Sequence, residues 1–256
     1  MNKLFCKSFL YLFLSLLSTS NFAFPKHDMS LFQTGNPSAL LSGVTEGSMT
    51  FHELKSKGNF GLGTFNGIQG EMVALNGKFY QIGQYGKTIS VPPDWKTPWV
   101  QLVTFSPTSF NKLNNINHLA ELKEKLYAKF SNKNIPYAIV IKGHFNSLDM
   151  RSRTPRKSLE IKNIHEDTYQ AKDISGTLVG FRFPEYLLNI AVPGFHFHFI
   201  SDDKKLSGHV LNLTSNHLEY AFNQINSITF NFPRTDNYQQ TNIKAPTMET
   251  YHKAQM

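Results

Sequence analysis

The chain is short of the residues that many chemistries need. It carries one cysteine, Cys6, in 256 residues. Cys6 sits ahead of an apolar stretch at residues 9–17, with Lys3 and Lys7 beside it and small residues at 18–23. That order is the pattern of a cleaved export signal, with cleavage after Ser20 or Ala23, and the stretch is too short to span a bilayer. If residues 1–23 are removed, Cys6 leaves with them. The mature chain then has no disulfide, no thiolate-held metal and no cysteine nucleophile. It is expected to be periplasmic or secreted, with no membrane association after cleavage.

Other signatures are also missing. No Gly-x-Ser-x-Gly elbow occurs, so a serine hydrolase has no support. The run Gly61-Leu62-Gly63-Thr64 lacks the Lys-Ser/Thr ending of a phosphate loop, and no long helix follows it. There is no internal repeat. The net charge is +8, and it falls to +6 when Lys3 and Lys7 leave with a segment that holds no acid. Apart from Arg151, Arg153, Arg156 and Lys157 the basic residues are scattered. A nucleic-acid partner is not expected, because it wants a longer basic stripe with interleaved aromatics. The charge fits solubility or attraction of an anionic substrate.

Phenylalanine is abundant, with 22 copies, and supplies a core. Its most informative use is Gly194-Phe195-His196-Phe197-His198-Phe199-Ile200, followed at a short distance by Gly208-His209-Val210. Alternation of Phe and His is the period of a β-strand. His196 and His198 share one face, and Phe195, Phe197 and Phe199 the other. The polar residues 201–208 read as a turn, and 210–213 as a returning strand. Such a hairpin lays His209 near the His pair. Three imidazoles converging with a position left open is how a catalytic zinc is held. A pair of histidines hydrogen-bonded into an ordinary strand would give the same spacing, so spacing alone does not separate the two readings.

Along the chain, a short helix is expected around Ala39-Leu40-Leu41, and a capped one at residues 50–55, with Thr50 as cap and Glu53 three residues on. Residues 70–75 and 78–82 read as a hairpin about Asn76-Gly77. Further strands are expected at 99–105, 138–145, 176–183 and 225–232. The clearest helix is 117–131, with Leu119, Leu122, Leu126 and Phe130 on one face. Residues 235–256 are polar and expected to be irregular. The fold class is α+β, with mixed and antiparallel sheets in two packed subdomains and few helices. A seam is expected near residues 152–173, where apolar periodicity weakens.

Candidate partners for a metal are less marked. Glu71 opens a strand after a glycine-flanked turn, where a carboxylate is usually just solvated. Arg153 lies in Arg151-Ser152-Arg153-Thr154-Pro155-Arg156, an exposed basic loop on the plain reading. On the functional reading, its planar fork binds a substrate carboxylate.

Together these pieces resemble the α-acetolactate decarboxylases over residues 31–237. The likeness is carried by Leu31-Phe32-Gln33, Ser38-Ala39-Leu40-Leu41-Ser42-Gly43, Gly58-Asn59-Phe60-Gly61-Leu62-Gly63-Thr64-Phe65-Asn66 and Gly70-Glu71-Met72. Lys78-Phe79-Tyr80-Gln81, Lys96-Thr97-Pro98, Ser152-Arg153-Thr154-Pro155, Gly176-Thr177-Leu178-Val179-Gly180-Phe181, the Phe/His strand after Pro193 and Ser207-Gly208-His209-Val210-Leu211 complete it. The resemblance implies a zinc held by His196, His198 and His209, catalytic Glu71 and Arg153, and Thr64 in the pocket. It implies a second glutamate near the C-terminus, where Glu249 is the acid present and a rival alignment puts Gln255. It also implies a two-domain protein, commonly a homodimer, with the metal near the domain junction. The implied reaction is decarboxylation of 2-acetolactate, a small keto acid, to acetoin in its R form. Two other classes share the His-x-His feature: a cupin-like metal-dependent oxygenase or hydrolase, which usually adds a strand Glu a few residues later, and a secreted non-catalytic metal-binding protein.

Overall fold

A computed structural model of the chain describes residues 28–155 and 164–255. The expected export segment therefore lies outside the described residues. No helix among those described is long and apolar enough to cross a membrane.

The elements in the first half are β1 (Met29–Thr34), α1 (Pro37–Leu41), β2 (Met49–Thr50), α2 (Phe51–Leu54), β3 (Phe60–Thr64), β4 (Glu71–Leu75), β5 (Lys78–Ile82), β6 (Thr88–Ser90), β7 (Lys96–Thr97), β8 (Val100–Val103) and β9 (Asn111–Ile116). The second half contains α3 (Leu119–Tyr127), β10 (Tyr137–Pro155), β11 (Ile164–Phe183), β12 (Gly194–Ser201), β13 (Ser207–Asn231), α4 (Asp236–Gln240) and α5 (Met248–Gln255). Eleven strands join in one sheet, in the order β10-β11-β12-β13-β1-β8-β3-β4-β5-β6, with β9 on β13. All its pairings are antiparallel except β1 with β13. The short β2 and β7 form a separate ribbon. The architecture is thus mostly antiparallel β with few helices.

Local rules explain much of this. Thr50 accepts from the Glu53 amide at 3.3 Å while the Glu53 carboxylate accepts from the Thr50 amide at 2.7 Å, which closes the capping box of α2. Asn76 and Gly77 take φ of 52° and 73°, the positive pair a two-residue hairpin turn needs, and so set the register of β4 on β5. α3 buries Leu119, Leu122 and Leu126 and is shorter than the expected 117–131. It starts one residue after His118, whose Nδ1 accepts from the Glu121 amide and satisfies an otherwise orphan donor.

Three strands are far longer than expected. β10 and β11 continue beyond 145 and before 176, and β13 runs unbroken from the histidine hairpin to Asn231. Their outer portions are polar because one face meets water, so they carry no continuous apolar run. Residues 152–155 and 164–167 pair across the β10–β11 hairpin, within the stretch read as a seam; 156–163 lie outside the described residues. The tail, expected to be irregular, forms α4 and α5; Thr235 caps α4 by accepting from the Tyr238 amide.

Two apolar layers hold the halves. Phe197, Phe199, Phe145, Leu178 and Leu213 cluster under α3. Leu31, Phe60, Leu62, Val140, Val179 and Phe181 cluster where the first-half strands meet the second-half sheet. Each such side chain contributes about 1.5–3 kcal/mol when fully buried.

Candidate active site

The site grows out of the β12–β13 hairpin. His198 lies opposite His209, and on the far edge of β13 Arg151 of β10 lies opposite His209. A row of three directly opposed residues therefore crosses three adjacent strands on one face, and His196, two residues from His198, joins it. Phe197 and Phe199 point the other way into the core. A bulge shapes the row. Asp149 pairs with Asn212 and Met150 with Val210, so Leu211 is left over and β13 bends beside Arg151 and His209. Gly208 is needed next to it: a Cβ there would lie 2.5 Å from the Tyr169 hydroxyl, which donates to the Ser207 carbonyl.

The first half of the chain supplies the carboxylate. Thr64 and Glu71 are opposed on β3 and β4, and the buried Thr64 hydroxyl donates to the Gly70 carbonyl at 2.7 Å. That bond fixes the turn from which Glu71 projects. Glu71 Oε1 lies 3.3 Å from Arg151 Nη1, 3.3 Å from His209 Nδ1 and 3.8 Å from His198 Nε2. The expectation of a solvated Glu71 is corrected: its side chain is only 14 % exposed, because β4 turns it toward the histidine face.

The three ring nitrogens converge. His196 Nε2 is 3.1 Å from His198 Nε2 and 3.2 Å from His209 Nδ1. Nitrogens around a tetrahedral zinc with bonds of about 2.0–2.1 Å are separated by about 3.3 Å, so the spacing suits such an ion. The proton inventory agrees. His198 Nδ1 donates to the Met72 carbonyl at 3.0 Å, so its Nε2 carries a lone pair aimed at the other rings. Burial holds all three imidazoles below the ordinary histidine range, aided for His209, which sits at about 3, by the Arg151 guanidinium. Glu71 goes down as well: burial alone would raise it, but Arg151 and His209 outweigh burial and hold it well below the usual carboxylate range. The group is thus neutral rings beside an anion, a donor set that suits a divalent cation.

Arg151, expected in an exposed basic loop, lies on β10 instead. It is buried, not exposed, and bridges Glu71 and Glu166 at 3.3 and 3.6 Å. Burial pushes its guanidinium down and Glu71 opposes that. Glu166, opposite Arg153 in the β10–β11 register, accepts from Arg153 Nε at 3.0 Å. The period of two could have shown it, since Arg151 and Arg153 on one strand must share a face.

These groups line one cavity with Thr64, Arg153 and an apolar wall that includes Trp99, Val192 and Tyr251. Glu249 is exposed on α5 and does not line that cavity; Tyr251 of the same helix does. The side chain of Gln255 lies outside the described residues. Asp202 and Asp203, the acids nearest in sequence to the His-x-His pair, stay in the β12–β13 turn, where Asp203 accepts from Ser201 at 2.7 Å. A cupin-like arrangement would draw its carboxylate from the same strand region, whereas here it comes from β4.

Comparison with known proteins identifies the family. The family model described as alpha-acetolactate decarboxylase matches residues 31–245. The chain is similar to the alpha-acetolactate decarboxylase of Brevibacillus brevis, 35 % identical over 230 residues, covering 88 % of this chain and 80 % of that one. It is also similar to that of Methylococcus capsulatus, 32 % identical over 232 residues, covering 89 % of each. The crystal structure of alpha-acetolactate decarboxylase from Bacillus subtilis strain 168 superimposes with a TM-score of 0.81 at 25 % identity, covering 88 % of this chain and 98 % of that one. On its sequence and its fold, the chain belongs to the α-acetolactate decarboxylase family of lyases.

Proposed function

We propose that the protein decarboxylates 2-acetolactate to acetoin, with a zinc ion held by His196, His198 and His209. The observation that carries this reading is the convergence of three neutral ring nitrogens on the face where Glu71 and Arg151 meet them. The R form of the product, a homodimeric assembly and an exported location, after removal of residues 1–23, belong to the same proposal.

Loss of carbon dioxide from a 2-hydroxy-3-oxo acid leaves an electron pair beside a ketone. A zinc ion, when bound, supplies Lewis-acid stabilisation of the oxygens on which that charge develops. The chain's own residues do the rest. Arg153 sits at the cavity with its Nε held by Glu166, which fixes the plane of the guanidinium toward a substrate carboxylate. Glu71, kept anionic by Arg151, takes the proton of the substrate's 2-hydroxyl at its Oε1, the atom nearest the histidines, and returns it to the carbon that has lost carbon dioxide, while a solvent proton restores the hydroxyl. Arg151 is a positioning residue, since its contacts are with Glu71 and Glu166. Thr64 holds the Glu71 turn and borders the cavity.

The test is carbon dioxide and acetoin release from racemic 2-acetolactate by the purified protein, with metal content measured on the same sample. Turnover with bound metal supports the reading. Oxygen consumption in its place would favour an oxygenase, and no turnover by metal-loaded protein would leave a non-catalytic metal binder.

A further inference from the structure

Two chemically distinct groups of side chains line the cavity. One comprises the three imidazoles, Glu71, Arg151 and Arg153. The other is apolar: Trp99, Val192 and Tyr251 form one buried cluster, against which Leu40, Leu41 and Leu188 pack. We propose that the Tyr251 ring bounds the apolar part of the cavity and sets the size of the alkyl group a substrate can carry beside its carboxylate. The inference rests on the decarboxylase reading above and adds a specificity-determining residue to it.

Three observations point to Tyr251. It is 3 % exposed, although its helix neighbours Glu249 and Thr250 face solvent, so α5 is docked through this ring. Its hydroxyl donates to the Ala191 carbonyl at 3.4 Å, which ties the polar tip to backbone, and the residue lines the cavity. The loop that receives it is itself fastened: Gln33 donates to the Ile190 carbonyl at 2.6 Å and Ser38 to the Asn189 carbonyl at 3.1 Å. Gln33 is in turn held by Gln101 at 2.9 Å. The wall is thus seated on the sheet rather than draped over it.

The direction of substrate binding follows from desolvation. A 2-hydroxy-3-oxo acid carries a carboxylate, a hydroxyl and a ketone, which are costly to bury without partners, and those partners all belong to the polar group. Its alkyl substituents are left for the apolar group. One methylene in a hydrophobic pocket is worth about 10- to 200-fold in discrimination. A ring in contact with that group therefore controls which homologue is accepted.

The experiment compares kcat/KM for 2-acetolactate with that for its homologue bearing ethyl in place of methyl at C2, using the full metal-loaded chain. Tyr251→Ala should raise the ethyl-to-methyl ratio by about tenfold or more, and Tyr251→Trp should lower it by a similar factor. Tyr251→Phe, which keeps the ring and loses the hydroxyl, should leave the ratio within about twofold. If Tyr251→Ala does not fold, Tyr251→Trp and Tyr251→Leu carry the test. Ratios that stay within twofold in active variants overturn the assignment of Tyr251 and leave the decarboxylase reading standing. A wild-type chain that decarboxylates neither acid overturns both.

Discussion

Arg151 stands directly across from His209 in the pairing of β10 with β13, and its guanidinium reaches Glu71 at 3.3 Å. One buried cation thus touches both the histidine row and the carboxylate brought by the other half of the chain. Arg151→Met would leave Glu71 with its largest charge compensation gone. Breaking a buried pair from one side costs about 3–5 kcal/mol, and Glu71→Gln in the same chain should recover much of it. Urea unfolding of the two variants measures this. An unchanged midpoint for Arg151→Met would show that the pair holds nothing together.

The histidine cluster predicts linked loss of metal and turnover. His198→Ala removes a ring nitrogen and empties the hydrogen bond to the Met72 carbonyl. Metal content by elemental analysis and carbon dioxide release should fall together. Retained turnover in metal-free protein would refute the metal centre.

Arg153→Lys keeps the charge but loses the planar fork and the Nε that Glu166 holds. A hydrogen bond to a charged group is worth about 1.5–3 kcal/mol, so turnover should drop by about 10- to 100-fold. Steady-state kinetics decide it, and a near-normal kcat would return Arg153 to a purely structural part.

Truncation after Asn242 removes α5, with both Glu249 and Tyr251. Activity should fall for the truncated chain and stay near wild type for Glu249→Gln, since Glu249 does not line the cavity. Loss of turnover in Glu249→Gln alone would bring the tail carboxylate into the mechanism.

The pH response of metal-free protein follows from the buried rings. Their folded-state values lie below the ordinary 6.5, with His209 at about 3, so below pH 6.5 the unfolded chain binds more protons than the folded one. Stability should be full above pH 6.5 and decline as pH falls from there toward 3. Denaturant midpoints across that range report it, and a flat profile would mean that the rings are not desolvated.

The Phe/His alternation, the Asn76-Gly77 turn and the Thr50 capping box were legible in the chain, because each is a local rule of period or backbone angle that neighbours in sequence satisfy. The β12–β13 hairpin followed from them, and with it the approach of His209 to His198. Glu71 and Arg151 were not legible in that way. They lie 80 residues apart and meet only because β4 and β10 are brought to the same histidine face. The bulge at Leu211, the length of β10, β11 and β13, and the docking of Tyr251 belong to the same class. Local spacing carries the side-chain period; which charge is buried, which face closes a cavity and which carboxylate reaches the rings depend on long-range strand pairing and desolvation, and only the tertiary structure decided them.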